Sequence, residues 1–412
     1  MRETSPAIHY GWHIVWAGAL CIFASLGLGR FALGMLLPAM GSNMRLSYAQ
    51  MGLVSTMNFV GYLVAVLFCG TMTARFGHRR LIFFALLVIG LSTITISLVA
   101  DFFSITLLYA LTGFSSGSAN VPMMALVSTW FSSHKRGKAS GFVVIGSGLA
   151  ILLAGKVVPV FNASGPAGWR TSWQVIGVVV IMIAFICRAV LRNSPQEKGL
   201  QPCGQSALGQ TASTRTKAIS HREIAHLGAI YFLFGSTYVI YATFLVTTLI
   251  QERGMSEIAA GNCWAWVGFL SLFSGPVFGT LSDRIGRRAT LVIVFCIQSI
   301  SYLLISAHLP SIFLYLSIGC YGIVAWSIPS IMAALIGDYA GPEKVARIFG
   351  LITFVFALGQ IAGPTVAGYL AEQTKSFSGS FLLAGCLTLL AAILSAGLVR
   401  SEKRGLIVMK GD

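Results

Sequence analysis

Long apolar stretches separated by short polar ones dominate this chain. Twelve stretches reach the roughly 20 apolar residues that a helix needs to cross ~30 Å of hydrocarbon. They run over 14–40, 50–73, 81–100, 102–131, 139–161, 171–191, 224–250, 258–281, 289–307, 311–336, 346–370 and 379–399. Helices follow from the solvent, because isolated strands in lipid would leave backbone N–H and C=O groups unpaired. The separators are short except at 193–222, which is rich in Gln, Ser, Thr and Gly and reads as a flexible linker. The pattern thus predicts an all-α membrane protein with a six-helix bundle over 1–192, the linker over 193–222, and a second six-helix bundle with a short tail over 223–412.

Composition agrees. Of 412 residues, 56% are hydrophobic and only 10% charged, against about 25% charged in a soluble domain. There is too little polar surface to cover a water-facing body of this size. The net charge of +16 would suggest nucleic acid in a soluble protein, but the cations cluster between apolar runs and form no nucleic-acid-reading helix. With alternate loops assigned to one side, 22 Lys and Arg fall on the face that carries both termini and 4 on the other. Arg30 and Lys156 remain within spans. This asymmetry predicts a bacterial inner (plasma) membrane protein with cytoplasmic N- and C-termini. The first apolar run is too long for a signal-peptide core and is read as span one. Eight cysteines, none in CxxC spacing, read as small hydrophobes rather than a disulfide framework or metal site.

The two halves carry related segments. Gly70-Thr-Met-Thr-Ala-Arg75-Phe-Gly77-His-Arg79-Arg80 follows span two, and Gly279-Thr-Leu-Ser-Asp283-Arg284-Ile-Gly286-Arg287-Arg288 follows span eight, 209 residues later. Gly113 with Gly319 and Pro122 with Pro329 nearly share that offset. Paired six-helix repeats are a recurrent transporter plan, with the substrate site near the midplane.

These segments resemble the signature loops of the major facilitator superfamily, and the likeness covers essentially the whole chain. The second copy matches the GxLaDRxGRR pattern in full; the first has Ala74 at the acidic position and His78 at a basic one. The resemblance implies two six-helix pseudo-repeats, and loops in which the acid and arginines help lock the cytoplasmic side. Ala74 departs from that lock in the first half. Lys135-Arg136-Gly137-Lys138-Ala139-Ser140-Gly141, Gly168-Trp169-Arg170 and Pro195-Gln-Glu-Lys-Gly199-Leu200-Gln-Pro202 are similar to the branch of monocarboxylate and oxalate/formate-type carriers. Gly29-Arg30-Phe31-Ala32, Leu36-Leu37-Pro38-Ala39-Met40 and Asn58-Phe-Val-Gly61-Tyr62-Leu63 are similar to a group of largely uncharacterised bacterial carriers.

Arg30 is the most informative single residue. A charge near the bilayer centre costs about 2.5–3.5 kcal/mol even on a lenient insertion scale, so it is expected to face the bundle interior or a wet cavity. There its planar fork suits an anionic substrate group; the other reading is a structural arginine bonded to carbonyls or asparagines. No Asp or Glu falls within the twelve spans. That weakens a proton-driven drug exporter, which needs a buried carboxylate to titrate. Lys156 is either a second cationic contact or a residue snorkelling to the interface. Asn58 and Asn120 bond substrate or hold helices together. Tyr238 and Tyr241, three apart, are expected on one helix face with Thr237 and Thr243 as a polar stripe. Trp326 and Gln360 are further cavity candidates. Trp264 and Trp266 read as packing or an interfacial belt. Glycine pairs at 113/117, 275/279 and 359/363 permit close helix approach.

No P-loop appears, and all seven histidines lie at span ends or in loops. No enzymatic activity, cofactor or metal is expected. The expected function is secondary or facilitative transport of a small, monocarboxylate-like organic anion by alternating access, the chain working as a monomer. Export of neutral or cationic compounds such as drugs is the first alternative, and a non-transporting membrane sensor the second.

Overall fold

A computed structural model describes residues 9–204, 220–307, 309–340 and 345–398. The linker residues 205–219 and the terminal cations used in the topology argument lie outside these. The described chain is almost wholly helical: α1 Gly11–Ile22, α2 Ala32–Met44, α3 Tyr48–Phe76, α4 His78–Leu98, α5 Phe102–Trp130, α6 Ser133–Asn162, α7 Gly168–Val190, α8 His221–Thr247, α9 Glu257–Ile285, α10 Arg287–Ser306, α11 Ser311–Val324, α12 Ser327–Ala340, α13 Val345–Thr374 and α14 Ser378–Ala396. Among the described residues, eleven segments are long and apolar enough to cross a membrane. The twelfth of span length, α5, has its apolar run diluted by Thr112, Ser115, Ser116, Ser118 and Asn120.

Three spans are less regular than the apolar pattern implies, the seventh because it ends in a π-helical stretch, Thr248–Glu252. Span one is α1 and α2 joined by a π-helical stretch, Phe23–Phe31, with Pro38 inside α2. Span ten, expected continuous over 311–336, breaks at Ala325–Trp326 between α11 and α12. Apolarity reports depth in the membrane and is blind to which main-chain bonds close the helix. Irregular backbone at that depth persists only where protein or a wet cavity satisfies it. At the second break it does: the Trp326 N–H donates to Ser274 Oγ at 2.9 Å.

By its contacts the chain divides into two units, Met1–Met44 with Val60–Gln210, and Arg45–Phe59 with Thr211–Asp412. Helix α3 therefore contributes its first part to the second unit and the rest to the first. Small residues set the packing inside each. In the first unit α4 lies along α7 where Gly90 and Gly177 meet, and a Cβ on either would press on the other's carbonyl oxygen. Such backbone approach drives helix association where lipid removes the hydrophobic incentive. Ser92 and Thr112 join α4 to α5 through their hydroxyls at 2.8 Å. Arg170 closes the end of α4 by donating to Ser97 O (2.6 Å) and Val99 O (2.8 Å). In the second unit Arg253 does the same for α10, reaching Ile305 O (3.1 Å) and Ala307 O (2.5 Å). There Gly359 and Gly363 of α13 rest on the Phe232 and Ser236 carbonyls of α8. The 275/279 pair, by contrast, has nothing within contact distance of an added Cβ, so GxxxG spacing does not mark a packing face there.

The linker is not uniformly irregular. Residues Pro195–Lys198 form a short 3-10 turn, and Cys203 pairs its backbone with Phe131. Tyr10 OH donates to Val190 O at 2.7 Å, and Trp130 Nε1 to Arg192 O at 3.0 Å. The first part of the linker is thus a strap across one end of the first unit.

Candidate functional site

Arg30 sits on the last turn of the π-helical stretch and is 8% exposed. A π turn is wider than an α turn and is often found at functional positions. Hydroxyls of α5 hold it in shape: Ser116 Oγ donates to Ser25 O at 2.8 Å and Tyr109 OH to Arg30 O at 2.9 Å. Gly27 and Gly29 allow the approach, since an added Cβ would meet Ala150 and Ser116 respectively. The Arg30 guanidinium carbon lies 4.3 Å from the centroid of the Tyr62 ring. Tyr62 is fixed in turn by Asn120, whose Nδ2 donates to the phenol oxygen at 2.7 Å. A cation over an aromatic face gains about 0.5–2 kcal/mol, less than the ~2.5–3.5 kcal/mol it costs to place the charge at mid-membrane.

Asn58 is fully buried one turn before Tyr62 on α3, in the part of that helix that packs with the second unit. Three residues earlier Ser55 bonds Thr243 at 3.1 Å, and Thr56 bonds Thr365 at 2.8 Å.

In the second unit Tyr238 hydrogen-bonds Gln360. Its ring stacks on Phe234 (5.0 Å) and meets Trp326 edge-on (6.0 Å). Tyr238, Gln360 and Trp326 therefore form one group. Tyr241 does not join it: its ring lies on Tyr321 at 4.1 Å and its hydroxyl on Ser317 Oγ at 3.0 Å, deep among α8, α10 and α11. Three residues along a helix still leave ~60° between side chains, enough to send these two to different neighbours. The polar stripe disperses likewise, with Thr237 turned back onto Leu233 O at 2.9 Å. Trp264 is buried and Trp266 is 58% exposed, so packing and surface roles divide between them. Lys156 is exposed on α6.

The signature loops share a backbone and differ in chemistry. Gly77 (φ 75°) and Gly286 (φ 91°) open α4 and α10 in the same left-handed conformation, one that disfavours a side chain. Beyond Gly286, Arg287 contacts Asp283, reaches Asp338 Oδ2 at 3.3 Å and donates to Ser282 Oγ at 2.6 Å. A cavity of about 810 Å³ lies beside this cluster, lined also by Arg284 and Arg288. Beyond Gly77, where Ala74 replaces the acid and His78 stands at the position of Arg287, Arg79 donates through Nε and one terminal nitrogen to Arg188 O (2.9 and 2.7 Å). Its backbone N–H donates to Asn193 Oδ1 at 3.0 Å. Here the end of α7 anchors the arginine side chain and the Asn193 amide its main chain. Arg75 is exposed with its guanidinium 5.6 Å from the Phe76 ring. Gly70 and Gly279 have open space around them.

Residues 22–396 match the family model described as "Uncharacterised MFS-type transporter YbfB". The chain belongs to this family of major facilitator superfamily transporters. It is similar to the hexuronate transporter of Bacillus subtilis (strain 168), with 24% identity over 90% of this chain and 91% of that one. It is also similar to monocarboxylate transporter 2 of Mesocricetus auratus, with 22% identity over 93% and 83%. Among solved structures, that of the nucleoside transporter NupG superposes with a TM-score of 0.70 at 13% identity, covering 95% of this chain and 99% of that one; this likeness shows the fold alone. The protein is a multi-pass membrane transporter of a small molecule, not an enzyme.

Sequence reasoning about this transporter missed Tyr62. The signal was present, since Tyr62 lies one turn from Asn58 within the quoted Asn58–Leu63 run. What could not be read was that α5 brings Asn120 to the phenol, which makes Asn120 a partner of Tyr62.

Proposed function

We propose that this transporter carries a small organic anion, of the monocarboxylate or sugar-acid type, by alternating access, with Arg30 as its cationic contact. The observation that carries the reading is the Arg30 guanidinium held inside span one against the Tyr62 ring. A carboxylate approaching it would form a charge-assisted, two-point hydrogen bond. The printed names of two relatives, a hexuronate and a monocarboxylate transporter, are of organic acids. Tyr62 and Asn120 would set the plane of the guanidinium. Within the second unit, Tyr238, Gln360 and Trp326 would supply polar and aromatic contacts of their own, and Asn58 a further hydrogen bond. The two signature loops would act in gating. Protons, if coupled, would travel on the substrate. We place both termini in the cytoplasm of a bacterial inner membrane, on the distribution of cations, and read the monomer as the working unit.

The test is counterflow of radiolabelled carboxylates by purified protein in proteoliposomes. Arg30→Gln is expected to lose at least tenfold in apparent affinity, the size of a lost charged hydrogen bond of about 1.5–3 kcal/mol. Arg30→Lys should fall in between, because it keeps the charge without the fork. Competition by lipophilic cations with none by carboxylates would instead favour a drug exporter.

A further inference from the structure

The two units balance charge differently at their basic ends. In the second unit Arg287 is matched by Asp283 and Asp338. In the first unit, three cations lie on 75–80, three on 135–138 and three on 188–198, yet between His9 and Gln201 the chain has only two acids. Asp101 caps α5 at the opposite end, and Glu197 is engaged by the Asn193 N–H at 3.1 Å. Arg79 and Arg192 are absorbed by main-chain carbonyls. Arg136 likewise donates to Ser128 O at 3.2 Å, whereas Lys135 and Lys138 are exposed at the start of α6.

Directly below Lys138 is a layered aromatic surface. Lys138 Nζ stands 6.0 Å from the Trp12 ring, which wedges edge-on against Phe131 (5.6 Å) and Phe142 (5.9 Å). One turn deeper, Trp16 on α1 is 57% exposed and Phe142 on α6 is 46% exposed. Along the α1–α6 seam the order from the end inward is therefore cations, then indole, then exposed rings. An anionic phospholipid presents the matching order of phosphate, glycerol and acyl chain. Tryptophan favours the headgroup level, and each surface cation adds attraction to acidic lipid.

We infer that the α1–α6 seam of the first unit is a binding site for an anionic phospholipid headgroup, held by Lys135 and Lys138 with Trp12 and Trp16 lining its acyl side. The inference is independent of the substrate reading, and transport activity is not its readout. Native mass spectrometry of the detergent-purified transporter, titrated with phosphatidylglycerol or phosphatidylcholine, tests it directly. The wild type is expected to prefer phosphatidylglycerol several-fold. Lys135→Gln with Lys138→Gln should weaken that lipid by roughly fivefold for each cation removed, whereas Arg284→Gln in the second unit should leave it unchanged. Trp16→Ala keeps every cation, so it should lower affinity for both lipids and preserve the preference. Should the double variant not fold, Lys135→Arg with Lys138→Arg and Trp16→Ala carry the test, the first expected to bind as wild type. Equal binding of the two lipids, an equal loss in Arg284→Gln, or full competition by millimolar inorganic phosphate would overturn the site; the last outcome would make it a free-anion site.

Discussion

Asn120 donates to the Tyr62 hydroxyl, and Tyr62 carries the Arg30 guanidinium on its face. The hydroxyl and the ring can therefore be separated. Tyr62→Phe keeps the ring and removes the acceptor, so it should reduce apparent substrate affinity by severalfold; Tyr62→Ala, which also removes the platform, should reduce it further. In a double-mutant cycle, Tyr62→Phe and Asn120→Ala should be non-additive by about 1 kcal/mol, measured as counterflow affinity; additive effects would place Asn120 elsewhere in the mechanism. A second residue-scale case concerns Gln298, fully buried on α10 with neither amide atom hydrogen-bonded among the described residues. Gln298→Met fills a similar volume without buried polar atoms. It should leave the thermal midpoint unchanged or raise it, by about 1–3 kcal/mol of removed desolvation penalty; a clear drop in a fluorescence melt would contradict the assignment. Sequence alone marked Arg30 because a charge in an apolar run stands out. It did not mark Gln298, since one amide in a span is ambiguous until its neighbours are known.

At the scale of helices, close approach separates glycines that matter from those that merely recur. A side chain at Gly363 would drive into the Ser236 carbonyl, so Gly363→Leu should part α13 from α8 and lower the yield of folded protein, with a loss of about 1–3 kcal/mol or more. Gly275→Ala meets nothing and should be neutral in the same detergent-stability assay. Helix α5 supplies a pH test. Asp101 caps it by accepting the Ser104 N–H at 2.8 Å, and that bond holds the carboxyl below its ordinary value. A depressed pKa in the folded state means that the stabilisation is present at neutral pH and fades as pH falls through the acidic range. Asp101→Asn should flatten this acid dependence while keeping the cap. The spans themselves were legible, because span length and apolarity are one-dimensional properties. The breaks at 23–31 and 325–326 were not, because both depend on hydroxyl groups from a neighbouring helix, Ser116 and Tyr109 in one case and Ser274 in the other.

Across the molecule, the 209-residue repeat is visible as two glycines of like backbone conformation, Gly77 and Gly286, while the charges around them have diverged. Arg287→Gln removes the partner of two carboxylates, whereas Arg79→Gln removes bonds to one carbonyl. The two variants should differ when transport rates are compared across ionic strength: the carboxylate cluster is screened by salt and the carbonyl anchor is far less so. The sequence pointed to this asymmetry through Ala74. It could not show that Asn193 and the end of α7 take over, because the linker read as irregular and its strap depends on pairings with residues tens of positions away, such as Phe131 with Cys203.

The nine π-helical residues that end at Phe31 have a further implication. Each such turn holds one residue more than an α turn, so this stretch stores slack that no other part of span one possesses. Shortening the chain by one position there, for instance by deleting Leu26, gives the backbone a way to tighten into ordinary winding while α1 and α2 keep their neighbours. The same deletion within α4 would rotate everything after it by about 100°. Span one is thus a place where this carrier can absorb a change in chain length, and such a change would re-aim the Arg30 side chain before it disturbed the bundle.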